Sequence, residues 1–139
     1  ALADGTLDAL VSDHTPVEAD AKALPFAEAE PGATGLELLW SLALKWAQDE
    51  GVPLPRVLER LTAGPARVLG TALATLQGSV GQLAVGGVAD LVLLSDAGHW
   101  AVSDARLRSQ GKSTPFSGYE LPGRVLATLV GGHIAFEAA

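Results

Sequence analysis

The period of the apolar residues changes part-way along the chain, and that change limits the folds open to it. Leu36, Leu39, Trp40, Ala43, Leu44, Trp46 and Ala47 recur at helical spacing. After about residue 77 the helical period is lost. Gly78, Gly81, Gly86 and Gly87 punctuate short runs, and strand-like segments follow. A helical block that gives way to a glycine-rich β region makes an α/β chain, with its boundary between residues 70 and 80.

Local signals fill in the elements. Leu7–Val11 has the apolar character of a buried strand, and residues 14–33 form a long loop rich in Pro, Glu and Ala. Thr34 and Glu37 stand at capping-box spacing ahead of the striped helix. Gly51 is the expected stop. Pro53 and Pro55 restart the chain into a second helix through Val57, Leu58 and Leu61. Gly64-Pro65 is the expected break before a short third helix over 66–69, closed by Gly70. Val88–Leu94 and Trp100–Val102 read as separate strands, and residues 103–123 as irregular. Two strand-like runs, 125–130 and 133–137, flank Gly131-Gly132 and predict a β-hairpin.

Composition excludes several classes of function. With 139 residues the chain can form one domain burying roughly two-thirds of its unfolded surface. No stretch approaches the roughly 18 consecutive apolar residues of a membrane-spanning helix. There is no Cys, so disulfides and thiolate metal sites are ruled out. The net charge of −7, with scattered Lys and Arg, argues against nucleic-acid binding. No secretory signal opens the sequence, which makes a cytoplasmic protein the default expectation. The chain has no Met and begins in mid-pattern, so it reads as a piece of a longer polypeptide.

One place combines groups that can do chemistry. The run Leu7–Val11 leads directly into Ser12, Asp13 and His14. A carboxylate at the end of a buried strand is where α/β barrels carry catalytic groups, as metal ligand or proton shuttle. Asp is equally at home as a turn or helix cap. His14 is either a ligand or a hydrogen-bonding neighbour. Pro31-Gly32 offers backbone donors to a ligand or makes a plain turn. His99 and His133 read as structural or exposed. Arg67, Arg106, Arg108, Lys112 and Arg124 could meet an anionic substrate or form a solvated surface. No His-x-His, His-Glu-x-x-His, Gly-x-Ser-x-Gly or phosphate-binding glycine loop is present. Spacing alone therefore gives an α/β chain with one conspicuous Asp, and no reaction.

The order of motifs carries more. DGTLDALVSDHTP (4–16), PFAEAEPGATGLELL (25–39), LTAGPARVLG (61–70), GQLAVGGVADLVLL (81–94) and STPFSGYELPGRV (113–125) follow one another along nearly all of the chain. Together they resemble the C-terminal third of a dihydroorotase, a metal-dependent amidohydrolase. The segment 81–92 is common to many amidohydrolases, whereas 114–123 is more particular to dihydroorotases.

The resemblance implies the C-terminal part of a (β/α)8 barrel plus part of a small accompanying β domain. Residues 1–76 would supply the last barrel strand (7–11), the active-site loop and the following helices. Residues 77–139 would supply the C-terminal share of the β domain. It further implies a small-molecule substrate: N-carbamoyl-aspartate and dihydroorotate interconvert in pyrimidine biosynthesis, with zinc as cofactor. Asp13 would hold a metal and shuttle the proton, while Pro31, Gly32 and His14 would lie on the substrate side. A homo-oligomer is expected, with neither nucleic acid nor membrane as partner.

One departure counts against activity. The family pattern Asp-x-Ala-Pro-His ends in a His that binds the substrate carboxylate, and here the run is Asp13-His14-Thr15-Pro16-Val17. Losing a hydrogen bond to a charged group costs about 1.5–3 kcal/mol. Some dihydroorotase-like chains are inactive and serve as structural partners of aspartate transcarbamoylase, and Val17 admits that alternative. The other metal ligands of the family lie upstream of the segment seen here. Alone, these residues are expected to be inactive and to expose apolar faces.

Overall fold

A computed structural model describes residues 1–70, 72, 81 and 83–138. The expected boundary at 76/77 lies outside the described residues. Among these residues, four helices precede a three-stranded antiparallel sheet: α1 (Ala19–Lys22), α2 (Leu39–Glu50), α3 (Leu54–Leu61), α4 (Ala63–Leu69), β1 (Leu91–Ala101), β2 (Glu120–Val130) and β3 (His133–Glu137). A single 3₁₀ turn, Leu36–Leu38, leads into α2.

Helix α2 organises the core. Its striped face buries Trp40, Ala43, Leu44 and Ala47, which cluster with Val57 of α3; Leu10 and Leu94 pack on the cluster's edge. A second cluster joins Leu38 to Val102, Leu107 and Leu121. Gly51 takes the left-handed conformation (φ 66°) that ends the helix, and the Val52 amide closes on the Ala47 carbonyl at 2.8 Å. The break between α3 and α4 falls at Thr62 rather than at Gly64-Pro65. Pro65 sits inside the first turn of α4, where its missing N–H costs no helical hydrogen bond.

The expected strand over 7–11 joins no β-ladder among the described residues. A strand needs a neighbour, and this segment lies against helices instead. The Leu10 amide donates to the Arg60 carbonyl at 3.0 Å. Arg60 is a buried cation, and its Nε donates to the Leu2 carbonyl at 3.1 Å. Gly64 lets the segment pass, because a Cβ there would collide with the Asp8 carbonyl.

The sheet also differs from expectation. β1 is one strand where two were expected, and a register shift between Ser95 and His99 absorbs the glycine at 98. β2 begins at Glu120, inside the stretch expected to be irregular. Pro122 is tolerated because β3 pairs with β2 only from Ala127 onward, which leaves β2 with one neighbour at 122. The β2–β3 hairpin turns at Gly131-Gly132, both at positive φ, as a two-residue loop of this kind requires.

Helix and sheet meet at Gly123. Ser41 Oγ donates to the Gly123 carbonyl at 3.2 Å and accepts from Trp100 Nε1 at 3.1 Å. Trp40 Nε1 donates to the Ser95 carbonyl at 3.0 Å. Gly123 is required twice over: its φ is +69°, and a Cβ would stand 2.6 Å from the Ser95 carbonyl oxygen.

Candidate functional site

Three stretches of loop come together in front of α2. Residues 12–17 run beside 32–36, and 111–113 cover the far side. The Thr15 amide donates to the Ala33 carbonyl at 3.0 Å, and the Thr34 amide to the Ser113 carbonyl at 2.8 Å. Two glycines permit the approach. A Cβ on Gly32 (φ +126°) would stand 2.5 Å from the Thr15 carbonyl oxygen, and one on Gly35 would stand 2.7 Å from that of Ser12. Gly111 is as tight, since a Cβ there would meet Pro16 at 2.8 Å.

Asp13 is exposed at the head of this seam. Its backbone φ is +45°, the one positive value among the described non-glycine residues. Asp tolerates the left-handed region better than most side chains, yet the conformation persists only where surroundings enforce it. On its C-terminal side Thr15 and His14 make the contacts that flank it. Thr15 Oγ1 donates weakly to the Asp13 carbonyl at 3.4 Å. His14 Nδ1 accepts from the amides of Gly35 and Leu36, each at 3.2 Å. These amides open the turn before α2, so the imidazole caps the helical segment.

The structure therefore brings Asp13, His14 and Gly32 into one seam, with Pro31 exposed beside Gly32. Val17 is 6% exposed and packs under the loop. A Cβ on Gly32 would stand 3.0 Å from its Cγ2, so position 17 works here as core. His99 and His133 are both exposed, away from this seam.

The Thr34–Glu37 capping box does not form. The buried Thr34 hydroxyl donates to the Gly111 carbonyl at 2.5 Å. The Glu37 carboxylate accepts from the Arg108 amide at 2.8 and 2.9 Å and from the Ser109 amide at 2.7 Å. Both side chains are spent on a segment more than seventy positions away, and His14 takes over the cap. No local pattern could have signalled this, because the partners meet only in the folded chain.

Asp13 supplies one carboxylate and no more. Among the described residues no three His, Cys, Asp or Glu side chains group so as to hold a metal ion. Both amides engaged at His14 Nδ1 further withdraw that nitrogen from coordination. The described residues do not by themselves fit a zinc site.

Comparison with known proteins defines the class. No family model matches the chain. It is 43% identical over 137 residues to a protein of Anaeromyxobacter dehalogenans named dihydroorotase, covering 99% of this chain and 30% of that protein. It is 44% identical over 137 residues to a dihydroorotase-like protein of Pseudomonas aeruginosa, with the same coverage. Among solved structures, a D-hydantoinase (dihydropyrimidinase) from Thermus sp. superposes with a TM-score of 0.84 at 26% identity, covering 99% of this chain and 30% of that one. An L-hydantoinase from Arthrobacter aurescens superposes with a TM-score of 0.82 at 30% identity, covering 98% of this chain and 30% of that one.

Sequence and fold together define an α/β segment of an amidohydrolase. Over nearly all of its length the chain is similar to proteins named dihydroorotase and dihydroorotase-like, and it spans about 30% of the length of the relatives it matches. Among the described residues no helix is long and apolar enough to cross a membrane.

Proposed function

We propose that this chain is the C-terminal segment of a dihydroorotase-type cyclic amidohydrolase, interconverting N-carbamoyl-aspartate and dihydroorotate in pyrimidine biosynthesis. The observation that carries the reading is the exposed Asp13 carboxylate, held at positive φ in a loop that packs against Gly32 through Thr15 and Val17. Residues 7–11 then act as the last strand of a (β/α)8 barrel whose other strands lie outside this chain. Residues 1–76 belong to the barrel and 77–139 to the small β domain.

The chemistry asked of Asp13 suits a carboxylate. Hydrolysis of a cyclic amide joins a water oxygen to the carbonyl carbon, breaks the C–N bond and leaves a proton to be placed on the nitrogen. An ionised carboxylate accepts the proton from the water and, once protonated, donates it to the leaving nitrogen. Gly32 lets the 31–33 stretch pack against Thr15 and Val17 of the Asp13 loop, where a Cβ would collide. Zinc, if held there, would supply polarisation of the carbonyl and activation of water. Asp13 would be one of its ligands, and the rest would come from outside these residues.

A second reading has its own support. Val17 stands where the family pattern has a substrate-binding His, and one of the similar proteins is named only dihydroorotase-like. On that reading the polypeptide is a non-catalytic subunit that scaffolds aspartate transcarbamoylase.

The test is interconversion of N-carbamoyl-aspartate and dihydroorotate by the full-length polypeptide carrying these residues, with Zn²⁺ supplied and substrate high enough to offset a weakened carboxylate site. Metal-dependent turnover is the expected result. A well-folded protein without turnover would favour the scaffold, and turnover of a hydantoin alone would move the substrate to another cyclic amide.

A further inference from the structure

We propose that His14 is a positioning residue, not a metal ligand or a substrate-binding one: its Nδ1 ties the Asp13 loop to the start of α2 and so fixes the backbone that presents the carboxylate. The inference rests on the role given above to Asp13, and it assigns the group that holds that residue in place. Nδ1 accepts from two amides, Gly35 and Leu36, at 3.2 Å each. An imidazole nitrogen that accepts hydrogen bonds carries no proton, so the ring is the Nε2–H tautomer. A ring in that state has no lone pair left for a metal, because Nδ1 is occupied and Nε2 bears hydrogen.

The contact lies where it controls Asp13. Asp13 is the neighbouring residue and the one described non-glycine residue at positive φ. On the other flank, Ser12 lies so close to Gly35 that a Cβ there would stand 2.7 Å from the Ser12 carbonyl oxygen. Two residues on, the Thr15 amide is bonded to the Ala33 carbonyl at 3.0 Å. The loop is thus fastened on both sides of Asp13, and the His14 bonds are the side-chain part of the fastening. The expected Thr34–Glu37 box is absent, so the imidazole also supplies the cap that those residues would have given.

The test reads the ring directly. In ¹⁵N-labelled chain, two-bond ¹H–¹⁵N correlation should report His14 as the Nε2–H tautomer with an unprotonated Nδ1. Amide exchange at Gly35 and Leu36 should quicken about fivefold in His14→Ala, the equivalent of one ordinary hydrogen bond. His14→Asn, whose Oδ1 can take the place of Nδ1, should restore the protection. The Nδ1–H tautomer would overturn the proposal, as would equal protection of both amides in His14→Ala. Because the wild-type tautomer needs no variant, a His14→Ala chain that fails to fold leaves the test intact.

In the full-length polypeptide, His14→Asn should retain kcat, whereas His14→Ala should lose kcat with little change in KM. Equal losses in kcat/KM for both variants, carried by KM, would make His14 a substrate contact instead and overturn the proposal. Turnover missing from wild type, with the tautomer and the protection pattern as stated, would refute the proposed reaction and leave the positioning contact standing.

Discussion

The seam between α2 and the sheet and the seam around Asp13 are both closed by glycines, but they are held in different ways. At the first, Gly123 admits α2 to within van der Waals contact of β2. Around it lie Trp40, Leu44 and, further along, the fully buried Leu121. At the second, Gly32 and Gly35 admit residues 12–15, and the fastening is hydrogen bonding, from the backbone and to the His14 imidazole, around an exposed carboxylate. Apolar burial stabilises the whole domain in proportion to area. Hydrogen bonds fix geometry while adding about 1 kcal/mol each. One seam is built for stability and the other for placement. The end of the segment 114–123 falls in the first: it packs Leu121 and Gly123 against the start of α2.

The sharpest way to break this contrast is Gly123→Ala. Left-handed strain of about 1–2 kcal/mol adds to overpacking of about 1–3 kcal/mol. The expected loss is therefore about 3 kcal/mol, measured by chemical denaturation. Gly32→Ala meets an equally close carbonyl but sits in the half-buried loop. It should cost about 1–2 kcal/mol, with faster exchange confined to the Thr15 amide and its neighbours. Global losses of the same size at both positions would erase the distinction.

Asp13→Gly should run the other way. Glycine relieves the positive φ but enlarges the unfolded ensemble, so stability should hold or rise by about 0.5 kcal/mol. A loss above about 1 kcal/mol would mean that the side chain, and not function, dictates the residue.

The smallest effect is electrostatic and lies outside both seams. The Glu59 carboxyl is held below its ordinary value of 4.5, chiefly by the hydrogen bond from Arg67, with Arg56 and Arg60 adding charge. A depressed folded value contributes stability above pH 4.5 that is lost as pH falls through it. Arg67→Gln should lower the melting temperature slightly at pH 7, and the difference should shrink at pH 3.

How much of this was legible follows from where each partner lies in sequence. Helix α2 was readable because its buried face repeats within the helix itself, and Gly51 marks its end. The hairpin at Gly131-Gly132 was readable for the same local reason. The long β1 was not, because Gly98 reads as a break and only pairing with β2 carries the strand through it. Pro122-Gly123 reads as loop; pairing with β1 makes it strand, and the absence of β3 at that level leaves room for Pro122. Leu7–Val11 has the composition of a strand but makes no ladder among the described residues. Thr34 and Glu37 have the spacing of a cap, yet tertiary partners claim them. Asp13 stood out by its position and by resemblance. Its left-handed backbone and the imidazole that fastens its loop depend on residues about twenty positions away and left no pattern.

The central claim is that the loop seam exists to present the Asp13 carboxylate to a cyclic amide. Asp13→Asn in the full-length polypeptide tests it most directly, because the amide keeps the shape and removes the proton-accepting oxygen. Dihydroorotate turnover should fall by about 10²–10⁴-fold while the melting temperature stays within a degree or so. A variant that folds alike and turns over substrate at the wild-type rate would contradict the account.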